Sequence, residues 1–212
     1  NDQAGFISEA GELHGLIDLV PQKQLEIQPF TVLQYDSYPK EGDNPFRDGS
    51  DFKVNGGLDA KIGITNDLTL DLTINPDFSQ VEVDRQVTNL SRFSLYFPER
   101  RNFFIENSDL FSDFGFRQIR PFFSRKIGLN NGNIIPILGG ARLSGKLNKD
   151  WRIGLMNIHT NQPGNTPQQN YTVAALQRRV LKNSTIGFIG LNRNSLKSSR
   201  INPTDYNRII GT

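Results

Sequence analysis

The chain has 212 residues, enough for one large domain or two small ones, with 24 basic and 22 acidic side chains and a net charge of +2. Near-balanced charge excludes a general attraction to nucleic acid or to anionic lipid, and the absence of cysteine excludes disulfides, thiolate metal sites and cysteine nucleophiles. Mean hydropathy is −0.47 with 36% hydrophobic residues, yet Phe, Ile, Leu and Val are too frequent for disorder, and no window approaches the roughly 18 apolar residues of a transmembrane helix.

The chain opens NDQAGF, without Met and without a signal peptide. It reads as a processed or partial chain. A first alternating pair covers 12–20 and 24–35 around Pro21-Gln22-Lys23. The clearest pair follows. Leu58, Ala60, Ile62 and Ile64 alternate with Asp59, Lys61 and Gly63, and after Thr65-Asn66-Asp67 the pattern resumes at Leu68, Leu70, Leu72 and Ile74. Period two on both sides of an Asn-Asp turn predicts a β-hairpin with a Leu/Ile face and a polar face. Further pairs are expected at 137–147 with 151–160 and at 171–181 with 185–193, and a last strand starts at 206. Helical periodicity is confined to a short stretch in 85–96.

The connections alternate. Short turns at 21–23, 65–67, 148–150 and 182–184 alternate with long segments at 37–52, 76–134, 161–169 and 195–205. That order predicts an up-and-down meander with all short turns at one end, the layout of outer-membrane β-barrels. Strands of about ten residues also match a tilted bilayer crossing. A soluble sandwich or small barrel alternates too. Against it stand the trimming of one end throughout and the mid-strand Asp59, Lys61, Asp71 and Arg142, which suit a wet lumen. The fold class expected is all-β, an antiparallel up-and-down transmembrane β-barrel. Residues 1–212 form part of one such barrel domain, with about eight strands and the start of a ninth visible.

The segment 76–134 is the expected insertion, a long Phe-rich loop or plug. Ten of the chain's 15 Phe lie between Phe78 and Phe123. Burying each ring is worth about 1.5–3 kcal/mol, so the segment is expected to pack on itself or fold into the barrel mouth or lumen. Its charges would pair with one another or with Lys61, Asp71 and Arg142, because an uncompensated buried ion costs several kcal/mol. The candidate ligand or plug residues are Asp77, Phe78, Glu82, Asp84, Phe97, Glu99, Arg100, Arg101, Phe103, Phe104 and Glu106.

Other motifs carry less. Gly140 to Lys146, GARLSGK, approaches a P-loop, but Leu147 stands where a Mg²⁺ ligand is needed and a turn follows in place of a helix. Asp77, Glu82 and Asp84 offer hard oxygens that suit Ca²⁺, without EF-hand spacing or its glycine. No metal site is expected at His14 and His159, which sit apart. Glu82, Glu99 and Glu106 could be assembled as a sugar-flanking carboxylate pair, as any acidic chain allows, and catalysis is not the favoured reading. No cofactor is expected, and no basic-aromatic platform for nucleic acid is present.

NPDFSQVEVD (75–84), NLSRFSLYFPERRNFFIENSDLF (89–111), SRKIG (124–128) and ILGGARLSGK (137–146) follow one another at fitting intervals. This series resembles the uncharacterised outer-membrane β-barrel domain widespread in Bacteroidota, which usually follows a domain similar to family-9 carbohydrate-binding modules. GFISEAGELHGL (5–16) and QLEIQPF (24–30) resemble that family's early strands. The chain departs at Asn102 and Asn107, where family members more often have Pro and Gly. The resemblance implies a longer, exported protein in the cell outer membrane, in contact with its lipid. It leads to an expected role in transport or surface binding of glycan-related ligands. The alternatives are a structural component that assembles with other envelope proteins and a barrel-embedded hydrolase.

Overall fold

The computed structural model describes residues 11, 14–15, 24–40, 49–76, 98–115, 120–130, 133–161, 167–181, 184–196 and 206–212. They form one eight-stranded antiparallel sheet in the order β1-β2-β3-β6-β7-β8-β9-β10. The strands are β1 (Leu25–Ser37), β2 (Ser50–Gly63), β3 (Leu68–Ile74), β6 (Ile137–Lys146), β7 (Trp151–Thr160), β8 (Gln169–Arg179), β9 (Thr185–Ser195) and β10 (Tyr206–Gly211). Each strand pairs with its neighbour in sequence, apart from the long connection between β3 and β6. That connection contains α1 (Asn102–Ile105), α2 (Asp109–Ser112), a 3-10 turn at Ser124–Lys126 and a two-stranded ladder of β4 (Leu129–Asn130) with β5 (Asn133–Ile134).

The up-and-down order is therefore as expected, and the short turns at 64–67 and 147–150 lie at one end of the sheet, where β8 also ends and β9 begins; the short turn expected at 21–23 lies outside the described residues. β1 and β10 are its two edges, so the sheet is not closed among the described residues. No helix among them is long and apolar enough to cross a membrane, which says nothing of crossing by strands. Several boundaries differ from expectation. β2 begins at Ser50, eight residues before Leu58, because Phe52 and Val54 alternate with Asp51, Lys53 and Asn55 before Gly56-Gly57 interrupts the pattern. The long connection expected at 37–52 shrinks accordingly. The short helices and the β4–β5 ladder went unread, since four-residue helices and two-residue strands carry no periodicity. Of the strand expected at 12–20, only His14 and Gly15 are described, and neither lies in a strand; the helical stretch in 85–96 lies outside the described residues.

The sheet has two unlike faces. On one, the connection packs against the strands, burying Phe103, Phe104, Leu110, Phe111, Phe114 and Ile127 with Met156, Ile158, Val173, Ala175 and Ile189. The opposite, open face carries uncovered Leu25, Ile27, Leu33, Leu72, Leu155, Ile186 and Ile210. The covered face is held close by small residues. A methyl placed on Gly154 of β7 would lie 2.7 Å from the Phe111 ring, one on Gly187 of β9 2.9 Å from Phe114, and one on Gly140 of β6 3.4 Å from Phe103. Each ring thus lies over a strand glycine that lets it approach the backbone. GARLSGK is an ordinary stretch of β6 in which Gly140 takes this role.

Candidate functional site

One rung of register partners crosses the whole sheet on the covered face. It reads Glu26, Lys61, Asp71, Arg142, Met156, Val173, Leu191 and Ile209. Four alternating charges occupy β1, β2, β3 and β6, and four apolar residues occupy β7 to β10. The candidate site lies over the charged half.

Arg142 is its centre and is 1% exposed. Its Nε and Nη2 donate to Oδ2 of Asp71 at 3.1 and 2.7 Å, and its Nη1 donates to the Glu106 carbonyl at 2.7 Å. The Phe103 ring lies 5.4 Å from its guanidinium carbon. A guanidinium this deep needs both the carboxylate and further acceptors to offset lost hydration. Lys61 on β2 contacts the Glu106 carboxylate and lies 3.9 Å from Asp71. Beside them Thr73 donates to Asp59 at 2.6 Å, Asn107 donates to Ser144 at 3.2 Å, and Arg152 donates to Asp109 at 2.6 Å.

The segment is braced from behind by Glu99 and Arg101. Nε and Nη2 of Arg101 donate to the two Glu99 oxygens at 2.9 and 2.8 Å, and Ser124 Oγ donates to Glu99 at 2.7 Å. Arg101 also donates to the carbonyls of Ile127 and Ser124, at 2.8 and 2.7 Å, and lies 4.2 Å over the Phe104 ring. The pair ties α1 to the 3-10 turn. Burial pushes the Glu99 carboxyl up, but the Arg101 guanidinium and the Ser124 hydroxyl outweigh it, and the pKa lies below the ordinary glutamate value.

Positions 102 and 107, where the resemblance implies Pro and Gly, have a physical account. Asn102 is the first residue of α1, where proline's fixed φ and missing N–H are tolerated. Asn107 has φ of +48°, which glycine reaches freely and asparagine more readily than other residues.

Between α1 and strands β1 to β3 lies a cavity of about 320 Å³, lined by Glu26, Gln28, Asp59, Lys61, Asp71 and Glu106 together with Asn102 and Phe103. Of the sequence candidates, Glu106 reaches this cavity with Phe103 at its wall. Phe104 is buried in the core, Glu99 and Arg101 form the brace, and Arg100 is exposed. Asp77, Phe78, Glu82, Asp84 and Phe97 lie outside the described residues, so the Ca²⁺ and sugar-flanking arrangements cannot be built from them. No group of three or more metal-ligating side chains occurs among the described residues. Glu26, Gln28 and Asp59 were not singled out as site residues. The alternation around Lys61 marks Asp59 as sharing its face, and Glu26 and Gln28 join it only through the register of β1 with β2.

These residues define an all-β protein, an antiparallel meander with one face covered by its own long connection over a cavity that bears charged side chains. The chain belongs to the family of a domain of unknown function, DUF5916, whose family model matches residues 21–205. No curated protein matches the chain, and no solved structure does.

Proposed function

We propose that the chain is part of a transmembrane β-barrel of an outer membrane, that the 76–134 connection plugs its lumen, and that the protein acts in transport or surface binding of glycan-related ligands. The observation that carries the barrel reading is the contrast between the two sheet faces. The open face shows large apolar side chains, with Leu25 and Leu33 67% exposed, Ile27 60% and Ile210 77%. Large apolar side chains recur on this face from β1 to β10, beside a polar rung of Asn157, Thr172, Asn192 and Arg208 on β7 to β10; so much exposed apolar surface is unfavourable in water and suits contact with lipid. The covered face bears buried charge, as a lumen wall does.

Dimensions agree with this reading. Ten residues separate Leu25 from Tyr35 on β1. At about 3.4 Å per residue and a tilt of about 40° they span about 26 Å, against an apolar band of about 25 Å in outer-membrane barrels. Aromatic residues bound the band. Tyr35 is the register partner of Phe52 at the long-loop end, and Tyr206 starts β10 at the same end. Trp151, beside Arg178, lies at the short-turn end. The open edges of β1 and β10 are where further strands would close the wall. The glycan part rests on the carbohydrate-binding-type domain that the resemblance implies, and a cavity with both polar and apolar lining is compatible with it.

The test is the gel mobility of the full-length protein from outer-membrane fractions, boiled and unboiled. A compact band that shifts on boiling is expected. A soluble protein without a shift would overturn the barrel, and the open face would then need a protein partner to cover it.

A further inference from the structure

The connection does not sit evenly on the covered face. Over β6, β7 and β9 it is seated on the backbone, with the Phe103, Phe111 and Phe114 rings against Gly140, Gly154 and Gly187. Over β1 to β3 its described residues stand off, leaving the cavity of about 320 Å³. Among the described residues, the polar contact that spans this gap is the Lys61–Glu106 ion pair, whose side chains stay 27% and 40% exposed. An ion pair that remains hydrated and screened is readily exchanged for water, unlike the buried Arg142–Asp71 pair at its side.

From this asymmetry we infer a permeation path for small cations between the connection and strands β1 to β3, with Lys61–Glu106 as its gate. The inference rests on the barrel reading. Between the connection and β6, β7 and β9 the rings close the gap to the sheet; the second cavity, of about 280 Å³, lies mainly within the connection itself, between Phe104, Phe111 and Phe122. The side over β1 to β3 holds the first cavity, where charged side chains from Glu26 to Glu106 share the lining with the apolar Ala60, Leu72, Phe103 and Ile105. Its charge is unbalanced. Asp71 is matched by Arg142 and Glu106 by Lys61, while Glu26 and Asp59 contact only the neutral Gln28 and Thr73 among the polar contacts of the described residues. A passage with two surplus carboxylates in its wall raises the local concentration of cations and repels anions. Breaking the Lys61–Glu106 contact widens the gap without disturbing the packed side.

The test is planar-bilayer recording of the full-length protein across a KCl gradient. The wild type is expected to conduct weakly with a reversal potential favouring K⁺. Lys61→Glu, which sets two like charges against each other, is expected to raise the conductance several-fold, and Lys61→Glu combined with Glu106→Lys to return it toward the wild-type level. Unchanged conductance in Lys61→Glu, in protein that still shifts on boiling, would overturn the gate and leave the barrel standing. A wild type without the shift would overturn both. A second readout uses the cysteine-free background. A charged thiol reagent is expected to reduce the current through Gln28→Cys and to leave Ala175→Cys, buried beneath the connection, unaffected. Block at Ala175→Cys in place of Gln28→Cys would put the path on the other side and overturn the proposal.

Discussion

Arg142 and Met156 are register partners on adjacent strands, and the covered face changes character between them. Arg142 ends a run of alternating charge that begins at Glu26, and Met156 begins an apolar run that extends to Ile209. The long connection answers both halves, offering Glu106 to the first and Phe111 to the second. A face of this kind holds the connection firmly on one side and loosely on the other.

The buried pair is the most costly to break. Asp71→Ala leaves the Arg142 guanidinium, 1% exposed, without its carboxylate. The expected loss is about 3–5 kcal/mol, read as a lower urea midpoint by the fluorescence of the single Trp151. A shift no larger than that of an exposed control, such as Lys149→Ala, would show that Asp71 does not hold Arg142.

The ring-on-glycine contacts predict intolerance to a single methyl. Gly154→Ala would place its Cβ 2.7 Å from Phe111 and is expected to destabilise by about 1–3 kcal/mol through overpacking. Phe111→Leu alone costs stability by removing ring contacts. Combined with Gly154→Ala it should cost less than the sum of the two, a coupling visible in a double-mutant cycle. Strict additivity would mean that the ring does not sit on that glycine.

Acid should loosen the brace. The folded pKa of Glu99 is depressed, so its stabilising contribution is complete above the unfolded value of about 4.3 and is lost as pH falls through the lower folded value. Glu99→Gln is expected to be less stable than wild type at neutral pH, with the difference narrowing below that unfolded value. Melting temperatures of both proteins across the acid range would show it. A gap that widens on acidification contradicts the assigned direction.

A charge in the middle of the open face separates lipid from water. Leu155 lies near the centre of β7 and is 41% exposed. In a bilayer, Leu155→Arg is expected to cost about 2–4 kcal/mol and to reduce the heat-shifted band in outer-membrane fractions. In water the same change would be nearly neutral, so an undiminished band would count against a lipid-facing surface.

Much of this was legible in the sequence. Period-two alternation fixes which residues of β2 and β3 share a face, so Asp59, Lys61 and Asp71 fall together with no knowledge of the fold. The alternation of short and long connections fixes the meander. The charge-interleaved phenylalanines announce a segment that must find apolar cover. β7 is harder to read, because Met156 and Ile158 on one face and Ile153 and Leu155 on the other are all apolar. Alternation fades wherever both faces carry apolar side chains.

The tertiary structure alone decided where the connection lies, that Glu106 meets Lys61 across 45 residues of chain, and that Phe111 finds Gly154. A phenylalanine does not specify its partner and a glutamate does not specify its lysine, since dispersion and Coulomb attraction act on whatever the fold brings near. Local pattern sets which way each side chain points on its strand. Long-range packing, limited by the space that a glycine leaves open, sets what it meets.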